Sequence, residues 1–259
     1  MFVISELVCV ACVPERPVAC NEKPGKISDM FKALFKNDQA MTVVVSIILV
    51  YTSINICGNL VLYFFRFDVG NEGAYSIFAA VAFAAQVLVM MVIPLLRKRF
   101  SKSCLFISGF IIQIVGFAVI LIMAFAKLYT PQSWYILCMP GILIYLGYGM
   151  LNVIMTIFLS DSVDYGEVMN GTREESVIFS MQTFTVKLAS GVAVFLAGLI
   201  VDWIHLDTSA TVQTQDTLDA LRMWMTIPSV ILLIVGIFVF KRFYKLDDAR
   251  MEEIKFKLN

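Results

Sequence analysis

A single lysine inside a long apolar run is the residue of this sequence with most need of a chemical explanation. Lys187 stands 11 residues into the run 177–201, and at 1.5 Å per residue of helix it lies roughly 15 Å from the start, at the centre of a bilayer. A lysine at that depth costs about 2.5–3.5 kcal/mol on insertion scales, so it calls for a cavity or a counter-charge. Helical spacing puts Thr183, Lys187 and Gly191 on one face, with Ser190 adjacent and Gln182 flanking. A cation, hydroxyls and a close-approach glycine suit a polyhydroxy ligand, although Ser, Thr and Gly also serve ordinary helix packing in membranes.

Two further groups have suggestive spacing. The stretch after the fourth apolar run reads Asp161-Ser-Val-Asp164-Tyr165-Gly-Glu167, followed by Arg173, Glu174 and Glu175. Read as a loop, it sets acids at the C-terminal end of a helix, against the dipole, and so predicts basic partners. Arg173 is one candidate and basic residues outside this chain are another; a charged gate that pairs on one side of the membrane would need this arrangement. The second group is Asn55 and Asn59, one turn apart in the first run, with Tyr145, Tyr148 and Asn152 in the fourth. These residues line a pathway or hydrogen-bond between helices.

Other chemistry finds less support. Cys9 and Cys12 have CxxC spacing without a second pair or a histidine at zinc-like distance. Cys57, Cys104 and Cys138 sit in apolar runs, where a thiol behaves as a small hydrophobe. The lone histidine, His205, lies in a polar connection. The carboxylates of 161–167 lack the nucleophile, metal or enclosed domain that a hydrolase needs, so no enzyme activity, cofactor or metal is expected.

The elements that hold these residues follow from composition. Apolar residues make up 59% of the chain and charged ones 15%, a balance for lipid rather than water. Twenty basic and 20 acidic residues cancel, which leaves no field to attract nucleic acid. Six windows are long enough to span a bilayer as helices: about 41–65, 74–96, 104–126, 135–159, 177–201 and 223–243. They are too long and continuous for barrel strands. Putting the N-terminal segment, the second and fourth connections and the C-terminal tail on one side collects all the basic residues except Arg66, Lys127, Arg222 and the intramembrane Lys187. That side is cytoplasmic by the positive-inside rule, with both termini on it.

Residues 1–40 read as a truncated apolar start (Met1 to Val13, too short to span), a proline-containing linker, and an amphipathic basic segment from Phe31 at the cytoplasmic interface. Residues 244–259 form a cytoplasmic tail in which Leu246, Ala249, Met251, Ile254 and Leu258 alternate with charges, suiting a short helix at the inner membrane surface.

With those residues in view, the sequence resembles the glycoside-pentoside-hexuronide:cation symporters of the major facilitator superfamily. The resemblance is carried by Asp161-Ser-Val-Asp-Tyr-Gly-Glu167, then Arg173 with Glu175-Ser176, then Gln182-Thr-Phe-Thr-Val-Lys187. It extends to Phe35-Lys-Asn-Asp38-Gln39, Tyr63-Phe-Phe and Phe243-Tyr-Lys-Leu246. It implies an all-α integral membrane protein whose six helices form one half, the C-terminal one, of a major facilitator superfamily fold, built as two inverted three-helix repeats. It also implies that Lys187 matches a lysine near the sugar and cation sites, with Thr183 and Val186 beside the sugar. Asp161, Asp164, Tyr165, Glu167 and Arg173 match a segment that closes the inner gate.

The chain departs from the family at Asn152, where a well-known member carries a sugar-facing tryptophan. The family's cation-binding acids belong to the other half, and no acid lies in the six windows to replace them. The expected partners are therefore the bilayer, a sugar or glycoside with Na+ or H+ as coupling cation, and a complementary six-helix half or a second copy. The expected location is the plasma (inner) membrane. The alternative is a non-transporting membrane sensor or assembly partner that keeps the sugar-facing surface.

Overall fold

A computed structural model describes residues 35–171 and 175–258. The amphipathic segment from Phe31, the Cys9–Cys12 pair and Arg173 therefore lie outside the described residues. Among the described residues, six helices are long and apolar enough to cross a membrane. They are α1 (Asp38–Tyr63), continued by a π-helical turn Phe64–Val69, α2 (Ala74–Leu96), α3 (Lys102–Phe125), α4 (Cys138–Asn170), α5 (Glu175–Trp203) and α6 (Gln215–Phe243). A 3-10 turn, Trp134–Leu137, leads into α4, and a short α7 (Asp248–Leu258) follows α6.

The packing follows the two repeats. In the first, α1 leads α2 and α3; in the second, α4 leads α5 and α6. α1 packs on α5 and α6, and α4 packs on α2 and α3, so each leading helix is embraced by the other repeat's two followers. Exchanging the repeats maps one set of contacts onto the other, as inverted repeats require. α1 is accordingly the most buried span, with 67% of its apolar window inside the bundle against 28% for α2 and α5.

In lipid there is no hydrophobic drive between helices, so close backbone approach and hydrogen bonds hold them. The α3–α4 contact uses Gly147, where an added Cβ would stand 2.6 Å from the Gly109 carbonyl oxygen and 2.7 Å from the Gln113 nitrogen. The α1–α6 contact uses a reciprocal pair: Ser53 donates to the Ser229 carbonyl at 3.1 Å and Ser229 donates to the Ser53 carbonyl at 2.9 Å.

Two boundaries and one packing contact differ from the sequence reading, each for a physical reason. α4 does not stop near 159; it runs through the acidic stretch to Asn170 and ends at Gly171, whose φ of 73° lies in the left-handed region that terminates helices. Asp161 to Glu167 are thus helical, not a loop. α6 starts at Gln215, capped by the Thr214 side chain, because polar residues outside the hydrocarbon extend the helix at no cost. The tail helix α7 does not rest its apolar side on the membrane alone: Leu246, Met251 and Ile254 are buried with Tyr165 of α4 and Tyr244.

Candidate functional site

The two leading helices carry matching polar ladders. On α1, Tyr51, Asn55 and Asn59 stand at successive turns; on α4, Tyr148, Asn152 and Thr156 do the same. Each ladder bonds back on its own helix: Asn55 donates to the Tyr51 carbonyl at 2.7 Å, Asn59 to the Asn55 carbonyl at 2.7 Å, and Thr156 to the Asn152 carbonyl at 3.2 Å. The ladders meet where Asn152 donates to the Tyr51 hydroxyl at 2.7 Å and the Tyr51 and Tyr148 rings stand edge to face, 5.6 Å apart.

Two clefts flank this junction. One, of about 370 Å³, is lined by Ile54, Asn55, Gly58, Asn59, Tyr145 and Tyr148. The other, of about 470 Å³, is lined by Met90, Asn152, Val153, Thr156, Ile157, Ser160 and Phe179. Gln182 of α5 reaches its edge, donating to the Thr156 hydroxyl at 3.3 Å. The structure thus brings together Asn55, Asn59, Tyr148, Asn152 and Gln182.

Lys187 stands apart from that network. It lies near the middle of α5 and is exposed, as are Thr183 and Gly191, and among the described residues it has no ion-pair partner. Val186 packs partly buried against the core, and Ser190 donates back to its carbonyl at 2.9 Å. An exposed ammonium at that depth faces hydrocarbon unless another body covers it.

The acidic stretch resolves into separate roles. Asp161 is buried and takes a 2.5 Å contact from Lys102 at the start of α3; Lys102 also lies 3.4 Å from Asp248, which Arg97 reaches at 3.4 Å. The sequence reading sought the partner of these acids in Arg173 or beyond the chain, whereas Asp161 is paired within its own bundle. Burial alone would push the Asp248 carboxyl up, but the charges of Lys102 and Arg97 outweigh it and hold the group below the ordinary range. Asp164, Tyr165 and Glu167 are part-buried along the last turns of α4. Asn37 ties the same end together: it caps α1 by accepting from the Ala40 nitrogen at 2.9 Å and donates to the Ser162 carbonyl at 2.8 Å. Gly166 permits that approach, since a Cβ there would stand 2.8 Å from the Asn37 amide nitrogen.

A counterpart clamp at the opposite end escaped the sequence reading. Arg222 of α6 donates from Nε to Asp68 Oδ2 at 2.7 Å and from Nη2 to Oδ1 at 2.6 Å, while Nη1 reaches Asp219 at 2.6 Å. Tyr129, from the α3–α4 connection, donates to Asp68 at 2.7 Å. Burial, and then the bond to Asp68, push the Tyr129 hydroxyl well above its ordinary range and keep it a donor. The Arg222 and Asp68 side chains are 2% and 4% exposed. Lys102–Asp161 joins α3 to α4 and Arg222–Asp68 joins α6 to the end of α1, the same interface in each repeat. No local signal announces either pair, because the partners are distant in sequence and each acid looks like a helix-end residue. Both acids already hold a cation of their own bundle. Among the described residues, no group of three His, Cys, Asp or Glu side chains is placed to hold a metal ion.

Among the described residues, six helices long and apolar enough to span a membrane, in two interlocked repeats with polar ladders on the leading helices, make one half of a transporter fold built from inverted repeats. Comparison with known proteins agrees: the MFS/sugar transport protein family matches residues 2–248, and the chain belongs to that family of transporters, which are not enzymes. An uncharacterized symporter, YjmB, of Bacillus subtilis is 25% identical over 95% of this chain and 52% of its own length. The raffinose carrier protein of Pediococcus pentosaceus is 26% identical over 82% of this chain and 33% of its own. An uncharacterized 29.9 kDa protein of Pseudescherichia vulneris is 28% identical over 74% of this chain and 68% of that protein. The chain thus spans about a third to a half of the length of the named carriers it matches. It is a multi-pass membrane protein with six candidate spans among the described residues.

Proposed function

We propose that this chain acts as the C-terminal half of a secondary active symporter that moves glycosides, pentosides or hexuronides with Na+ or H+ by alternating access. The observation that carries this reading is Lys187, exposed near the middle of α5 without an ion-pair partner among the described residues. A second six-helix body that supplies a carboxylate or a cavity would remove its cost, and a sugar-sized polar space between the two bodies would be the result. A second copy of this chain fits less well, because two lysines would meet across the axis with no mid-span acid from either copy. The raffinose carrier relative supports a saccharide as the cargo. Lys187, Thr183, Val186 and Gln182 on α5, with Asn152, Tyr148, Asn55 and Asn59, would line the pathway; Asp161, Asp164, Tyr165, Glu167 and Arg173 belong to the cytoplasmic gate. Both termini face the cytoplasm of a cell with this protein in its plasma (inner) membrane.

The test is uptake of labelled glycosides and hexuronides into proteoliposomes holding this chain together with the amino-terminal half of a relative. Gradient-driven uptake that disappears in Lys187→Ala, with insertion unchanged, is the expected result. Uptake at the original rate in that variant would remove Lys187 from the pathway.

A further inference from the structure

The polar ladders of α1 and α4 are the same motif twice, Tyr51-x-x-x-Asn55 and Tyr148-x-x-x-Asn152, on helices that the repeat exchange maps onto each other. The helices run in opposite directions and the two tyrosine rings touch edge to face at 5.6 Å. The backbone relation is symmetric, but the hydrogen bonding is not. Asn152 donates across the interface to the Tyr51 hydroxyl at 2.7 Å, and the Tyr148 hydroxyl is engaged by the side chains of Tyr51 and Asn152, while Asn55, the counterpart of Asn152, turns back to the carbonyl of its own helix at 2.7 Å.

We propose that these four residues form a two-position hydrogen-bond switch: Asn152 to Tyr51 in the arrangement described here, and Asn55 to Tyr148 in its counterpart. The Asn55 bond to the Tyr51 carbonyl is local, made to a group that already accepts within the helix, so it is readily surrendered. Room for the movement exists, because Asn55 and Tyr148 line the same cleft of about 370 Å³. Gly58 in its wall has no heavy atom within 4 Å of where a Cβ would stand. The exchange trades one cross-helix amide-to-phenol bond for another of the same kind, which leaves the two arrangements close in free energy. That closeness is what a bistable element needs, since a modest differential interaction then moves the population. The transporter reading supplies a purpose for the switch, while its existence is tested without transport.

The experiment is side-chain amide NMR on the full chain in lipid nanodiscs, with asparagine labelled and Asn55 and Asn152 assigned by substitution. In Tyr51→Phe the Asn152 amide loses its acceptor, and the Asn55 amide is expected to move to the shift of a phenol-bonded donor. Asn152→Leu, which leaves Tyr51 intact, is expected to move Asn55 the same way. Tyr148→Phe is expected to leave Asn152 on Tyr51 with a single set of signals. An Asn55 signal unmoved in both Tyr51→Phe and Asn152→Leu, with helical content unchanged, overturns the switch and leaves a fixed packing bond. Should the switch be seen while uptake fails in every reconstitution, the transport reading falls and the switch stands.

Discussion

The Arg222–Asp68 clamp offers the sharpest energetic prediction. Asp68→Asn keeps the shape but removes the charge that two guanidinium nitrogens and the Tyr129 hydroxyl share. Arg222 is 2% exposed, so its cation cannot turn to water; only Asp219, at 39% exposure, remains as a partial counter-charge. Breaking a buried pair by removing one partner costs about 3–5 kcal/mol. The surviving Asp219 contact and the hydrogen bond that asparagine can still accept bring the expectation to about 2–4 kcal/mol. Reversible unfolding in mixed detergent, followed by the fluorescence of Trp203 and Trp224, whose rings lie 5.3 Å apart, reads the loss. Adding Arg222→Met to Asp68→Asn should recover more than half of it, because the uncompensated cation is then gone. A loss below about 0.5 kcal/mol, the range of surface substitutions, would refute the reasoning that the pair is desolvated.

Other predictions concern packing, pH and the tail. Gly147→Ala should destabilise the bundle by about 1–3 kcal/mol, since the methyl meets backbone on α3, whereas Gly198→Ala, with nothing within 4 Å, should be close to neutral; the same unfolding assay compares them. Asp248 has a depressed carboxyl, so its contribution is complete above the unfolded value and is lost as the pH falls below about 4. Limited proteolysis of the α7 tail should therefore rise on acidification, and Asp248→Asn should show the raised rate already at neutral pH. Lys102→Met should destabilise this end of the bundle more than Arg97→Met, because Lys102 is buried with Asp161 while Arg97 makes more exposed contacts with Asp248 and the Phe100 carbonyl; detergent unfolding of the two variants ranks them.

What was legible in the sequence was whatever a period or a composition encodes. The six spans were visible because apolar length is set by bilayer thickness. Helix ends were less visible: apolar windows end where charge begins, but α4 continues to Gly171, where backbone chirality ends it. Asn55, Asn59, Tyr148 and Asn152 were recognisable one by one as helix-turn spacings, whereas Thr156 was not singled out. Tyr51, which joins the two ladders, was missed, although its spacing to Asn55 repeats that of Tyr148 to Asn152 and was the available signal. The clamps were illegible for a different reason. Lys102 reads as one of several loop bases and Asp68 as a helix-end acid, and only tertiary packing pairs them with Asp161 and Arg222.

The central claim, that Lys187 faces a second six-helix body across a sugar pathway, is tested most directly by uptake with three preparations: this chain alone, this chain with an amino-terminal partner half, and the same pair carrying Lys187→Ala. The account predicts gradient-driven saccharide uptake from the second preparation only. Equal uptake by the chain alone, or by the Lys187→Ala pair, would contradict it.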